Sequence, residues 1–175
     1  MSRTGALVVG LGAPDRGDDG IGPAVAARVA AAAAERGLTA TRIVEHEDPT
    51  ALLDLLEGCG EDGPQTMVVV DAVRSSSAPG TVIVLEVGTS DPDDQVLAGR
   101  VDPGPAGTHG FGLAGAIELA RVLRRLPPRV VVVGIEADQF EHGAPLSAEV
   151  TDALPAAVAA VLAALAEDTA ATLAS

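Results

Sequence analysis

Three strand-length runs of consecutive apolar residues constrain this chain most: ALVVGL at 6–11, MVVVDA at 67–72 and RVVVVGI at 129–135. They are rich in β-branched residues and lack the polar alternation of a half-wet strand, so each reads as a parallel strand covered on both faces. A fourth run, TRIVEH at 41–46, has the same strand propensity. Between the first run and the fourth lies IGPAVAARVAAAAAERG, where Ala favours helix and Gly37 offers a stop. DPTALLDLLEG then supplies Asp48 as an N-cap, Pro49 at the first helical position and Leu at helical spacing. Strand, helix, strand, helix, strand is the signature of an α/β layered fold.

After MVVVDA, the turn cluster RSSSAPG leads into TVIVLEV at 81–87 through too few residues for a crossover helix. That strand should run antiparallel, at a sheet edge. The polar, Pro/Gly-rich stretch from Gly88 to Gly107 is too long for a passive connection and should border the functional cleft. FGLAGAIELARVLRRL reads as an amphipathic helix stopped by Pro127 and Pro128. LSAEVTDALPAAVAAVLAAL reads as a final helix with Ser147 as N-cap and Glu149 behind it. No linker or repeat divides residues 1–175, so a single domain is expected. Hydrophobic residues make up 47% of the chain but aromatics 1%, so the core must be built from Ala, Val, Leu and Ile.

A formal charge of -14 argues against nucleic acid and membrane surfaces as partners. The lone cysteine, Cys59, sits in the loop-like LEGCGEDG and reads as a bystander thiol. No signal-peptide pattern precedes the first strand, and LPAAVAAVLAALAED reads as too short and too Ala-rich to cross a bilayer. The expectation is a soluble cytoplasmic protein, monomeric.

Three places carry candidate chemistry. The first is VVGLGAPDRGDDGIG, where Gly10, Gly12 and Gly17 nearly imitate a dinucleotide fingerprint. Asp15, Asp18 and Asp19 would repel a pyrophosphate there, so the acidic side chains suit helix capping or a cation instead. Two adjacent aspartates cannot both cap one helix, which leaves one for another task. The second is Asp71, at the C-terminal end of a central strand where α/β sheets gather ligands; it should approach Asp19. The third is His109, between glycines ahead of a helix, where the ring should stay neutral. Together they make an oxygen and nitrogen set suited to nickel, zinc, iron or manganese. His46, beside Glu45 and Glu47 at the end of the second strand, competes with His109, and His142 ranks last.

The chain resembles the hydrogenase maturation endopeptidases over nearly its whole length. GLGAPDRGDDGIG is similar to the N-terminal signature of that family, VVVDAVRSSSAPGTV to its central one, and THGFGLAGAIELARVLRRLPPRVVVVGIE to its histidine segment and following strand. GAPLSAEVTDALPAAV is similar to the C-terminal segment. The resemblance implies a phosphorylase/hydrolase-like three-layer α/β/α sandwich with a mixed five-stranded sheet, order 2-1-3-5-4, the fourth strand antiparallel. It also implies an aspartyl-type peptidase that trims the C-terminal extension of the large-subunit precursor of a nickel-iron hydrogenase. Nickel supplied by the substrate, or zinc or another divalent metal in its place, is then the recognition element. Asp19, Asp71 and His109 become both metal ligands and catalytic positions. Ala13 stands where the family usually has Asn, which keeps open a homologue that binds nickel or a hydrogenase subunit without cutting.

Overall fold

The strands are β1 (Ala6–Leu11), β2 (Thr41–His46), β3 (Thr66–Val73), β4 (Val82–Val87) and β5 (Arg129–Glu136). In the computed structural model, which describes residues 5–38, 40–57, 63–87 and 112–173, they form one sheet in the order β2-β1-β3-β5-β4. β1 is parallel to β2 and β3, β3 is parallel to β5, and β4 is antiparallel to β5. The order and the reversed edge strand agree with expectation. The partner of β4 is β5, which inserts between β3 and β4.

Helices α1 (Ile21–Glu35) and α4 (Ala148–Leu173) cover one sheet face, and α2 (Ala51–Leu55) and α3 (Leu113–Val122) cover the other. Even-numbered residues of β1 and β3, such as Val8, Val68 and Val70, join Ile21, Val25 and Val29 of α1 and Leu154 and Val161 of α4. Leu7, Val9, Leu11, Met67 and Val69 pack instead with Leu52 and Leu56 and with Leu113 and Ile117. Two interleaved apolar sets on one strand are why the runs lack alternation. Small side chains let the layers approach closely: a Cβ added at Gly22 would lie 2.0 Å from the Leu11 carbonyl oxygen and 2.8 Å from that of Val70. The first turn of α1 thus lies directly against the ends of β1 and β3.

The helix ends follow local chemistry. α1 stops at a Schellman motif in which Gly37, at φ +67°, donates to the Ala34 carbonyl and Leu38 to that of Ala33. The second helix starts later than expected, at Ala51 with Thr50 as its N-cap, and Asp48 lies in the turn before it, accepting the Thr50 N–H at 2.8 Å; Ser147 accepts the Val150 N–H at 3.4 Å. α3 differs from expectation: it ends at Val122, before the prolines. Arg124 takes the left-handed position of a second Schellman motif at φ +54°, with Arg124 N–H bonded to Arg121 and Arg125 N–H to Ala120. The reading of the last helix also needs correction. Residues Ala148–Glu167, at mean hydropathy 1.6, are long and apolar enough to cross a membrane by length and composition. The helix continues past the stretch read from sequence because Ala tolerates every helical position, and it lays Val150, Leu154, Ala157, Val161 and Leu165 into the core. Cys59 and the stretch Gly88 to Gly107 lie outside the described residues.

Arg124→Gly is expected to raise the unfolding free energy by ~1 kcal/mol, because glycine adopts the left-handed conformation without a Cβ penalty. Urea denaturation at neutral pH checks it; a lower midpoint would show that the arginine side chain outweighs its backbone strain.

Candidate active site

The candidate residues Asp19 and Asp71 lie toward the C-terminal ends of β1 and β3, Asp19 in the turn after β1 and Asp71 near the end of β3. After β1 the backbone turns through Gly12, at φ +125°, whose N–H donates to the His46 carbonyl at 2.9 Å. A Cβ on Gly12 would fall 1.9 Å from the Asp19 carbonyl oxygen, so only glycine lets the 3-10 turn Gly17–Gly20 fold back onto the strand end. Gly10 and Gly17 likewise lie against the Gly22 and Gln139 carbonyls. The near-dinucleotide spacing therefore serves contacts of chain with chain.

The aspartate pair divides its work, and neither side chain caps α1. Asp18 is fully buried and accepts the backbone N–H groups of Ser147 at 2.7 Å, Gln139 at 3.1 Å and Asp138 at 3.2 Å. Burial pushes its carboxyl up, but the hydrogen bonds from Ser147, Gln139 and Asp138 prevail and hold it below the usual aspartate value. Asp18 is thus the clasp between the β1–α1 turn and the β5–α4 connection. The Gly17 N–H to the Ala144 carbonyl at 3.0 Å, and the Asp18 N–H to that of Gln139 at 2.7 Å, add backbone links to the same joint.

Asp19, half-buried, turns the other way and accepts the Ala13 N–H at 2.9 Å. The contact is made by backbone, so the absent Asn side chain at position 13 is not needed to aim this carboxylate. Asp71 lies on β3 in register with Gly134 of β5, one step beyond the Gly10–Val70 pair. Burial pushes its carboxyl up to about 8; the nearby negative charge of Asp19 adds to the rise, and a hydrogen bond from Ala72 opposes it. The two carboxylates are thus near enough to act on each other as like charges, and such a pair binds a proton or a cation in preference to ionising fully.

His46 and His142 are exposed, His46 at the end of β2 and His142 in the β5–α4 connection. Neither joins the two carboxylates: among the described residues no three His, Cys, Asp or Glu side chains are grouped to hold a metal. His109 lies outside the described residues. Sequence reasoning missed several residues of this edge. Buried Glu136 accepts the Ser75 N–H at 2.9 Å and its hydroxyl at 2.6 Å, which fixes the turn after β3. Arg74 places its guanidinium 4.5 Å from the centre of the Phe140 ring. An arginine three residues after Asp71, in a chain with 11 basic residues, was the available signal.

Two outcomes follow from these carboxylates. Asp18→Asn should cost ~3 kcal/mol, since an amide offers one acceptor oxygen and a repelling NH2 to three fixed N–H donors; chemical denaturation measures it. Because the native carboxyl sits below its unfolded value, the clasp's pH-linked stability is present above pH ~4 and is lost as pH falls through the lowered value. Asp71 has the opposite sign. Its contribution is complete below pH ~4 and fades as pH rises toward 8, so Asp71→Asn should stabilise the metal-free protein at pH 8 by ~1 kcal/mol or more. Denaturation midpoints across pH 4–9 test this, and an unchanged slope in the variant would contradict the coupling.

The family described as hydrogenase maturation protease matches residues 48–164, a span that contains Asp71 and His109. Solved structures with the same fold include the hydrogenase maturating endopeptidase HybD from E. coli, at 25% identity and TM-score 0.67, covering 94% of this chain and 93% of that one. The hydrogenase 2 maturation peptidase from Thaumarchaeota archaeon SCGC_AB-539-E09 is similar at 25% identity and TM-score 0.61, covering 93% and 98%. The [NiFe] hydrogenase maturation protease HybD from Thermococcus kodakarensis, at 23% identity, TM-score 0.61 and 90% and 97% coverage, shares the fold. No curated protein sequence matches the chain. Since the family pattern runs over more than half of the chain and the structural likeness covers 94% of it, this protein belongs to the hydrogenase maturation protease family.

Proposed function

We propose that this chain is an endopeptidase that removes the C-terminal extension from the large-subunit precursor of a nickel-iron hydrogenase after nickel insertion. The observation that supports the reading is the placement of Asp71 near the carboxyl end of β3, with Asp19 close enough that its charge adds to the rise that burial causes in the Asp71 carboxyl. In a family member, such a pair is suited to a cation carried in by the substrate. Two carboxylates alone leave coordination positions open, which the precursor's own ligands and His109 would fill.

The roles then divide by chemistry. Asp19, aimed by the Ala13 N–H, and Asp71, fixed by the sheet, supply hard anionic oxygen donors to the nickel that marks a mature precursor; zinc or another divalent ion would satisfy the same set. His109 would supply an imidazole nitrogen. The peptide bond is cleaved by water, and a metal-polarised carbonyl needs no side-chain nucleophile. The same reading makes the protein cytoplasmic and monomeric, with the precursor as its partner.

Incubating the protein with nickel-loaded precursor and weighing the products tests the activity. Loss of the extension is expected, whereas association without mass loss would favour a non-cleaving homologue. His109→Ala should weaken nickel-dependent binding and lower cleavage by at least ~100-fold, as removal of a ligand does, while leaving the unfolding midpoint unchanged. Cleavage at the parent rate would remove His109 from the site.

A further inference from the structure

We infer that Arg16, Arg74 and Phe140 form a subsite for a carboxylate on the precursor's C-terminal extension, an assignment that rests on the peptidase reading above. Arg16 lies three residues before Asp19, whose N–H donates to the Arg16 carbonyl at 3.2 Å. Arg74 lies three residues after Asp71. The two arginines come from different loops and meet the same third residue. The Arg74 guanidinium stacks 4.5 Å from the Phe140 ring centre and donates to the Asp138 carbonyl at 3.2 Å. Arg16 donates through Nε to the Phe140 carbonyl at 3.4 Å. Phe140 itself follows Gln139, whose N–H is held by buried Asp18.

Among the described residues Arg16 and Arg74 share the lack of an ion pair with Arg28, Arg36, Arg42 and Arg124, and what sets the two apart is their common contact with Phe140. Arg121, Arg125 and Arg129 each form ion pairs, with Glu118, with Glu57, and with Glu86 and Glu167. Among the described residues neither Arg16 nor Arg74 has a carboxylate within 4.0 Å, although Asp15 and Asp138 stand on the same loops. Stacking on an aromatic ring leaves the in-plane donors of a guanidinium free, and that fork matches a carboxylate. Holding the group in place beforehand reduces the entropy lost on binding.

Electrostatics supplies the reason for such a feature. A chain of net charge -14, with two aspartates in its site, repels an acidic peptide unless a local positive pair receives it. An extended peptide advances about 3.3 Å per residue, so a carboxylate a few residues from the bond at Asp19 and Asp71 reaches the rim. The subsite thus selects an acidic side chain or the terminal carboxylate of the segment to be removed. A purely structural role, tying the 138–140 loop to β3, is the competing account.

The test uses two forms of nickel-loaded precursor: the natural one, and one with every Asp and Glu of the extension changed to Asn and Gln and its C-terminus amidated. Association is measured by biolayer interferometry, and cleavage separately by mass. The parent should bind the neutralised form about tenfold more weakly, the scale of one charge-assisted contact. Arg74→Gln and Arg16→Gln should each lose about tenfold on the natural precursor and little on the neutralised one, with unchanged unfolding midpoints. Equal binding of the two precursors by the parent overturns the subsite, as does an equal loss on both forms in the variants. Charge-dependent association without mass loss keeps the subsite and sinks the peptidase reading.

Discussion

Asp18 is the interaction on which the functional edge depends. Its carboxylate is buried, and three backbone N–H groups from residues 138, 139 and 147 replace the water it gave up. An ionised group so placed is costly to leave unpaired, and that cost gives the joint its specificity: the β5–α4 connection has one way to satisfy the carboxylate. By fixing the 3-10 turn, the same bond network points Asp19 toward Ala13 and, at its far end, sets the position of Phe140. One buried charge thus orders one site carboxylate and the ring on which Arg74 stacks.

The glycines make that arrangement sterically accessible. Gly12 admits the Asp19 backbone, Gly17 admits Gln139, and Gly22 lets α1 begin against the ends of β1 and β3. Without these contacts the turn would stand off from the sheet, and Asp19 would move away from Asp71. The sheet supplies the complementary half. Asp71 is held by its pairing with β5, so it stays beside Asp19, and burial together with that neighbouring charge keeps its carboxyl well above the usual aspartate value.

The sheet was legible because its evidence is local. Strand-length β-branched runs, a link too short for a crossover and Ala-rich segments between strands each report on a few adjacent residues, and the bounds of β1 and β2 agree with the reading. The end of α3 was not legible, since nothing marks Arg124 as a left-handed residue; its conformation follows from the chain's need to turn into β5. The last helix was read as too short for the same kind of reason, as an Ala-rich run gives no stop signal of its own.

At the site the boundary falls between neighbouring residues. From its residue types the sequence by itself established that the first turn holds more carboxylate than one helix start can use, and that Asp71 ends a buried strand. It could not say which of Asp18 and Asp19 is buried, because adjacent side chains differ in environment only after a distant segment folds over one of them. The partners of Asp18 lie about 120 residues away in the chain, as does Phe140 from Arg16, and Glu136 lies 61 residues from Ser75 in the turn it fixes. Such pairs leave no periodicity or local spacing to read. Composition and local pattern therefore determined the layers and the chemistry available, whereas tertiary structure decided which carboxylate clasps the fold and which is left beside Asp71, since only packing sets desolvation and the donors that offset it.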